Sequence, residues 1–160
     1  MEFNILVLQG DGIGPEVTAQ GIRILSTIGK KLGHRFNYVY HPIGGAGIDT
    51  YGIPLRQETI SQAKRSDAIL VGAVGGPKWD DPKATIRPET AILGLRKALD
   101  LFANLRPVKV FPSLKGASAV KSSNISKVDM IVVRESTGGL YFGKPKQITK
   151  TASGRKAVDS

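Results

Sequence analysis

Four side chains spaced along one stretch carry the most pointed chemistry in this chain. Counting from Glu89, the positions three, four and seven residues on are Ile92, Leu93 and Arg96. If the segment is helical, a carboxylate, two branched aliphatics and a guanidinium share one face. Pro88 suits a first helical turn, where its missing N–H costs nothing. Such a face could hold a small molecule with an acidic end and a branched hydrocarbon end. A second stripe, Leu95, Leu99 and Phe102, can turn into a core. The same spacing also fits an ordinary solvated face, with the aliphatics simply packed inside. Arg106, in N-L-R-P, reads as the end of a short strand and offers a second cation to the same carboxylated ligand.

Two glycine turns are the other chemical feature. Gly10-Asp11-Gly12-Ile13-Gly14-Pro15-Glu16 follows an apolar run and precedes an amphipathic pattern. A glycine-rich turn between strand and helix lets backbone approach a ligand and aims helix N–H groups at an anion. It is not G-x-G-x-x-G, so it is not the Rossmann fingerprint, and Pro15 and Glu16 start a helix well on their own account. Gly75 and Gly76 lie just past the apolar stretch Ala68–Val71, at the strand end where open α/β sheets bind ligands. A plain glycine loop is the alternative there.

The elements that must position these residues alternate. Asn4–Leu8 is a continuous apolar run of the kind found in a buried parallel strand. Val17, Gly21, Ile24, Ile28 and Leu32 then fall at helical spacing, Phe36–His41 reads as a second strand, and a helix is expected near Leu55–Arg65 after the loop I-G-G-A-G-I-D-T-Y-G-I-P. With Ala68–Val71 as a third strand, the order β-α-β-α-β predicts a parallel α/β sheet. Beyond Arg106, V-K-V-F-P closes a strand, Ser113–Lys127 reads as a surface connection, and Val128–Val133 is a further strand delivering Arg134 and Glu135. S-T-G-G-L-Y-F-G-K-P, with glycine pairs around Tyr141 and Phe142, suggests an exposed hairpin or arm.

Bulk properties narrow the function classes. A chain of 160 residues, 41% hydrophobic and 22% charged, is ordinary globular material with room for one domain or pieces of two. Cysteine is absent, which excludes disulfides, thiolate metal sites and cysteine nucleophiles. His34 and His41 lack metal-ligand spacing. The net charge of +10 could signal nucleic acid, but aromatic content is 6% and no recognition motif is present, so no nucleic-acid partner is expected. Much of the excess, Lys144, Lys146, Lys150, Arg155 and Lys156, fits a solvated tail or hairpin. The amino-terminal apolar run is too short for export or membrane insertion, so no membrane partner and a cytoplasmic location are expected.

Five blocks taken in order, G-D-G-I-G-P-E, V-G-A-V-G-G-P-K-W-D, R-P-E-T-A-I-L-G-L-R, L-F-A-N-L-R-P and V-V-R-E-S-T-G-G-L-Y-F-G, resemble the amino-terminal part of the 3-isopropylmalate dehydrogenases. These belong to the metal-dependent β-decarboxylating dehydrogenases, with isocitrate, homoisocitrate and tartrate dehydrogenases as relatives. The resemblance runs from about Ile5 to Lys146 and beyond. It implies a parallel-sheet α/β fold of the isopropylmalate dehydrogenase type, not a Rossmann fold. Residues 1–100 would begin the first, cofactor-side domain and residues 101–160 the second, dimerisation and arm domain.

The activity implied is oxidation of the C2 hydroxyl of 3-isopropylmalate by NAD and loss of the β-carboxylate, giving 4-methyl-2-oxopentanoate in leucine biosynthesis. A divalent metal, Mg2+ or Mn2+, would stabilise the enolate. By the resemblance, Arg96, Arg106 and Arg134 bind the two substrate carboxylates, and Ile92 and Leu93 meet the isopropyl group. Tyr141 would be catalytic, helping to protonate the enol. A free phenol has a pKa of about 10, and neighbouring cations favour its ionised form. Ile13, Gly75, Gly76, Pro77, Lys78 and Glu89 match the cofactor site. A homodimer is implied, with Lys144–Ser160 in the arm that pairs with a second subunit.

Isocitrate-using relatives must hold a third carboxylate, which Ile92 and Leu93 would leave unpaired against hydrocarbon. A sister activity on tartrate, homoisocitrate or isocitrate, and a non-catalytic subunit, remain as alternatives. Two departures from the family stand out. Gln9 replaces the usual proline before G-D-G. The chain stops at Ser160, before the family's catalytic lysine, metal-binding aspartates and adenosine loop, so the 160 residues alone are expected to be a truncated, inactive portion with its metal ligands beyond residue 160.

Overall fold

β1 (Glu2–Gly10) runs between two parallel neighbours, β2 (Arg35–Tyr40) and β3 (Ala68–Ala73), in the order β2-β1-β3. The computed structural model describes residues 1–81, 83–136, 138 and 145–159, in two units, Met1–Leu99 and Asp100–Ser160.

In the first unit the register sets Leu6 opposite Val39 and Ile69, and Val7 opposite Leu70. A central parallel strand is covered on both faces, which is why Ile5–Leu8 is apolar without alternation. Leu6, Val7 and Leu8 are wholly buried, and each contributes about 1.5–3 kcal/mol relative to exposure. Leu6 and Leu8 join Ile43, Ala63, Ala91 and Leu95 in one core cluster, with Leu55, Ile69, Val74, Ile92 and Leu99 packed against it. That cluster gathers α2 (Gly44–Tyr51), α3 (Gln57–Arg65) and α4 (Thr90–Ala98) on one side of the sheet.

α1 (Gly14–Leu32) starts with proline and Glu16 in its first turn and ends with Lys30 and Lys31, charges that oppose the helix dipole at both ends. Its buried residues are small: Gly14, Thr18 and Gly29. A Cβ on Gly29 would come within 2.8 Å of the His34 carbonyl oxygen, and one on Gly14 would overlap the carbonyl oxygen of Gln9. The apolar stripe of the sequence, Val17, Ile24, Ile28 and Leu32, is therefore on the outer side, each residue exposed. The inner line of the helix is instead Gly14, Thr18 and Gly29, with Ile22 and Leu25 half-buried between them.

The loop expected after β2 contains a helix, α2, and the following helix starts at Gln57. Phe102, expected in the core with Leu95 and Leu99, is 67% exposed. Burial and the nearby Arg56 guanidinium lower the His41 pKa from 6.5. His41 directly follows β2, with Nδ1 3.0 Å from the hydroxyl of Thr59, a wholly buried side chain of α3.

The second unit opens with an antiparallel ribbon, β4 (Ala103–Lys109) and β5 (Asp129–Glu135). The serine- and lysine-rich connection between them contains a 3-10 helix, Pro112–Ala117, and one helical turn, α5 (Ser122–Ile125). β6 (Lys146–Thr151) and β7 (Gly154–Asp159) form a second antiparallel pair.

Candidate active site

Because β1 and β3 are parallel neighbours, their carboxyl ends emerge side by side, with Gly10 opposite Ala73. Asp11 comes next. Its N–H donates to the Ala73 carbonyl at 2.6 Å, and its own carbonyl accepts from Gly14 N–H at 2.8 Å. The side chain is 4% exposed. Its Oδ2 accepts from the N–H groups of Gly45 and Gly75, both at 2.8 Å, and its Oδ1 accepts from Ala46 N–H at 2.7 Å. Among the described residues no lysine or arginine pairs with it. Backbone N–H groups, two of them in the first turn of α2, balance the charge instead.

The Gly75 amide therefore points inward at Asp11 and is not offered to a ligand. What the loop does offer is close approach. Gly75 has φ +101°, a conformation side chains rarely adopt, and a Cβ there would lie 2.7 Å from Glu89 Oε1. Gly75 and Glu89, singled out separately in the sequence, thus touch. Gly76 accepts from Trp79 N–H at 3.0 Å, closing a 3-10 turn over Pro77–Trp79. The Trp79 ring packs where a Gly45 side chain would be. Lys78 Nζ is 2.6 Å from Asp49 Oδ2 and 5.1 Å from the Trp79 ring centroid. Ile13 sits just before α1 and is exposed.

Glu89 precedes α4, and its carbonyl accepts from Ile92 and Leu93 N–H at 3.1 and 3.3 Å. Ala91 and Leu95 face inward, fully buried or nearly so. Helical geometry then sets Glu89, Leu93 and Arg96 along the outer line. Ile92 lies at its border, half-buried against the core cluster. The mixed face of the sequence is thus present, with one aliphatic shared with the core.

In the second unit, Arg106 is opposite Val132 and Asn104 opposite Arg134. Residues two apart on a strand share a face, so Asn104, Arg106 and Arg134 are on one side of the ribbon. Arg106 Nε donates to Asn104 Oδ1 at 3.3 Å. The opposite side carries Leu105, Ile131 and Val133, all more than half exposed. Tyr141 lies outside the described residues. Among the described residues no group of three or more His, Asp or Glu could hold a metal ion, and no helix is long and apolar enough to cross a membrane.

Two residues of this arrangement escaped the reading of the sequence. The signal for Asp11 was an acid between glycines at the end of a wholly apolar strand. Asn104 had no local signal, because its role depends on cross-strand register.

A family model described as isocitrate/isopropylmalate dehydrogenase matches residues 4–160. The chain is 51% identical to a 3-isopropylmalate dehydrogenase of Dehalococcoides mccartyi and 51% identical to one of Bacillus subtilis, in each case over all of this chain and 44% of that protein. It thus spans less than half the length of these curated relatives. Among solved structures, a β-decarboxylating dehydrogenase from Thermococcus kodakarensis in its apo form matches with a TM-score of 0.63 and 31% identity, over 98% of this chain and 40% of that one. An isocitrate dehydrogenase from Methylococcus capsulatus shares the fold, with a TM-score of 0.71 and 23% identity over 99% of this chain and 42% of that one.

Proposed function

Because the chain belongs to the isocitrate/isopropylmalate dehydrogenase family, we propose that it supplies the substrate-recognition and cofactor-facing residues of an NAD-dependent 3-isopropylmalate dehydrogenase acting in leucine biosynthesis. The observation that carries this reading is the outer line of α4. Glu89, its carboxylate against Gly75, is followed at helical spacing by Leu93 and Arg96, with Ile92 alongside.

In this reading the guanidinium groups of Arg96, Arg106 and Arg134 bind the two carboxylates of the malate skeleton, where a planar fork matches a carboxylate in two bonds. Ile92 and Leu93 receive the isopropyl group and reject a third carboxylate, which would lose its hydration against hydrocarbon. Glu89 is an exposed acceptor for hydroxyl or amide donors of NAD. Gly75, Gly76, Pro77, Lys78 and Ile13 form the surface beside it. The loop fits the cofactor by close approach, since its first amide is already bonded to Asp11. NAD, when bound beside these residues, would supply the acceptor for the C2 hydride, and the hydroxyl proton would pass to a general base, the family's catalytic lysine. The resulting 2-oxo acid releases its β-carboxylate as carbon dioxide, and Tyr141 delivers the proton that turns the enol into 4-methyl-2-oxopentanoate. The ligands for Mg2+ or Mn2+ are assigned outside this segment. Residues 1–100 form the cofactor-side part and residues 101–160 the part that meets a second subunit, in a cytoplasmic homodimer.

The test is to join this chain to the carboxyl-terminal remainder of the Bacillus subtilis relative. With NAD and Mg2+ or Mn2+, the completed enzyme should form NADH from 3-isopropylmalate far faster than from isocitrate, homoisocitrate or tartrate. A preference for any of those three would overturn the substrate assignment.

A further inference from the structure

Asp11 makes more use of its polar atoms than any fold-building role at one turn requires. Its backbone carbonyl closes the β1–α1 turn, its N–H donates to the Ala73 carbonyl at the end of β3, and its two carboxylate oxygens hold three amides from two other segments. The segments concerned are the start of α2 and the loop leaving β3. All are at the same end of the sheet, where ligands of α/β proteins sit. The Gly75 amide bonded to Asp11 belongs to the residue whose α-carbon lies against the Glu89 carboxylate. A displacement of that loop therefore reaches Glu89 directly.

We propose that Asp11 is a positioning residue: a buried internal anion that fixes the Gly75–Gly76 loop and, through Gly75, the place of the Glu89 carboxylate. The part of this inference that concerns NAD rests on the cofactor reading given above; the part that concerns the loop does not. The chemistry follows from the acceptor count. A carboxylate presents acceptors on both oxygens, so three N–H groups are served at once. The isosteric amide of Asp11→Asn has only one acceptor oxygen, and its NH2 group must face at least one N–H donor. One loop then loses its tether. Because Oδ2 serves Gly45 and Gly75 together, α2 and the β3 loop are held to each other through a single atom.

Amide hydrogen exchange on the 160-residue chain tests the first part. In the unsubstituted chain the Gly45, Ala46 and Gly75 amides should exchange at least tenfold more slowly than that of exposed Gly12. Exchange of Gly75 at the Gly12 rate would overturn the proposal, and this measurement needs no variant to fold. In Asp11→Asn one or more of the three amides should speed up at least tenfold while those of Leu6 and Val7 keep their rates. A uniform acceleration of all amides would reduce Asp11 to a general stabiliser and also overturn it. NAD is then titrated against the completed enzyme, this chain joined to the Bacillus subtilis remainder, with and without Asp11→Asn, following the amide signals of Gly75, Gly76 and Glu89. If Asp11 acts on the cofactor face, the substitution should weaken those responses at least tenfold. Equal responses in both enzymes would overturn the link to the cofactor. No response in the unsubstituted enzyme counts against the cofactor reading alone, and the exchange rates still decide the role of Asp11.

Discussion

Glu89 Oε1 lies 2.7 Å from the point a Cβ on Gly75 would occupy, so carboxylate and glycine share one small volume. Gly75→Ala adds a methyl group there and imposes φ +101° on a residue that resists it. The backbone strain alone costs on the order of 1–3 kcal/mol. The variant should melt at lower temperature. In the completed enzyme it should raise KM for NAD while moving KM for 3-isopropylmalate little. An unchanged cofactor KM would separate this loop from the cofactor.

Ile92 and Leu93 can be distinguished by what else they touch. Leu93→Asn should lower kcat/KM for 3-isopropylmalate by about 10–200-fold, the usual range for apolar discrimination, with little change in melting temperature. Ile92→Asn should lower it comparably and also destabilise the fold by about 1–3 kcal/mol, because this side chain packs on the core cluster. Steady-state kinetics and calorimetry on the two variants check the difference. Unchanged kcat/KM in both would remove the hydrocarbon pocket.

Arg106 and Asn104 are coupled by the bond at 3.3 Å. Arg106→Lys keeps the charge and loses the planar fork, so KM for the malate substrate should rise about tenfold or more. Asn104→Ala should raise it about two- to tenfold, the worth of one orienting hydrogen bond. Arg106 is exposed and Asn104 half-buried outside the core cluster, so thermal melting should move little. If Asn104→Ala acts equally in an Arg106→Lys background, the two do not work as a pair.

His41 gives a pH dependence with a definite sign. Burial and then Arg56 lower its pKa in the folded chain below 6.5, so between these two values the unfolded chain binds more protons. The contribution is therefore fully present above 6.5 and is lost as pH falls from there through the lower, folded value. Melting temperature should drop on acidification through this window, and His41→Gln should flatten that part of the profile. A melting curve unaffected by the substitution would locate the acid sensitivity elsewhere.

The parts of the fold visible in the sequence are those whose pattern is local. β1 announced itself because a strand covered on both faces can be apolar at every position from Ile5 to Leu8. α2 did not, because Gly44, Gly45 and Gly47 are poor helix formers. What steadies its first turn is a carboxylate from Asp11, a residue far away in sequence. α1 is legible as a helix, but helical spacing alone does not say which line meets the sheet: Gly14, Thr18 and Gly29 are buried while Val17, Ile24, Ile28 and Leu32 face out. The α4 stripe was legible except at Ile92, where a single residue serves both site and core. That Asn104, Arg106 and Arg134 share a side of the ribbon needed the strand register, which no single segment contains.

The contacts of Gly14 and Gly29 reach beyond the packing of one helix. At both places the limiting neighbour is main-chain oxygen, of Gln9 and of His34. Main-chain dimensions are the same whatever side chains evolve around them. At Gly14 the spacing between α1 and the strand that leads into Asp11, and at Gly29 that between α1 and the turn into β2, thus works as a gauge block, and substitutions along the outer line of the helix can accumulate without carrying the turn out of alignment.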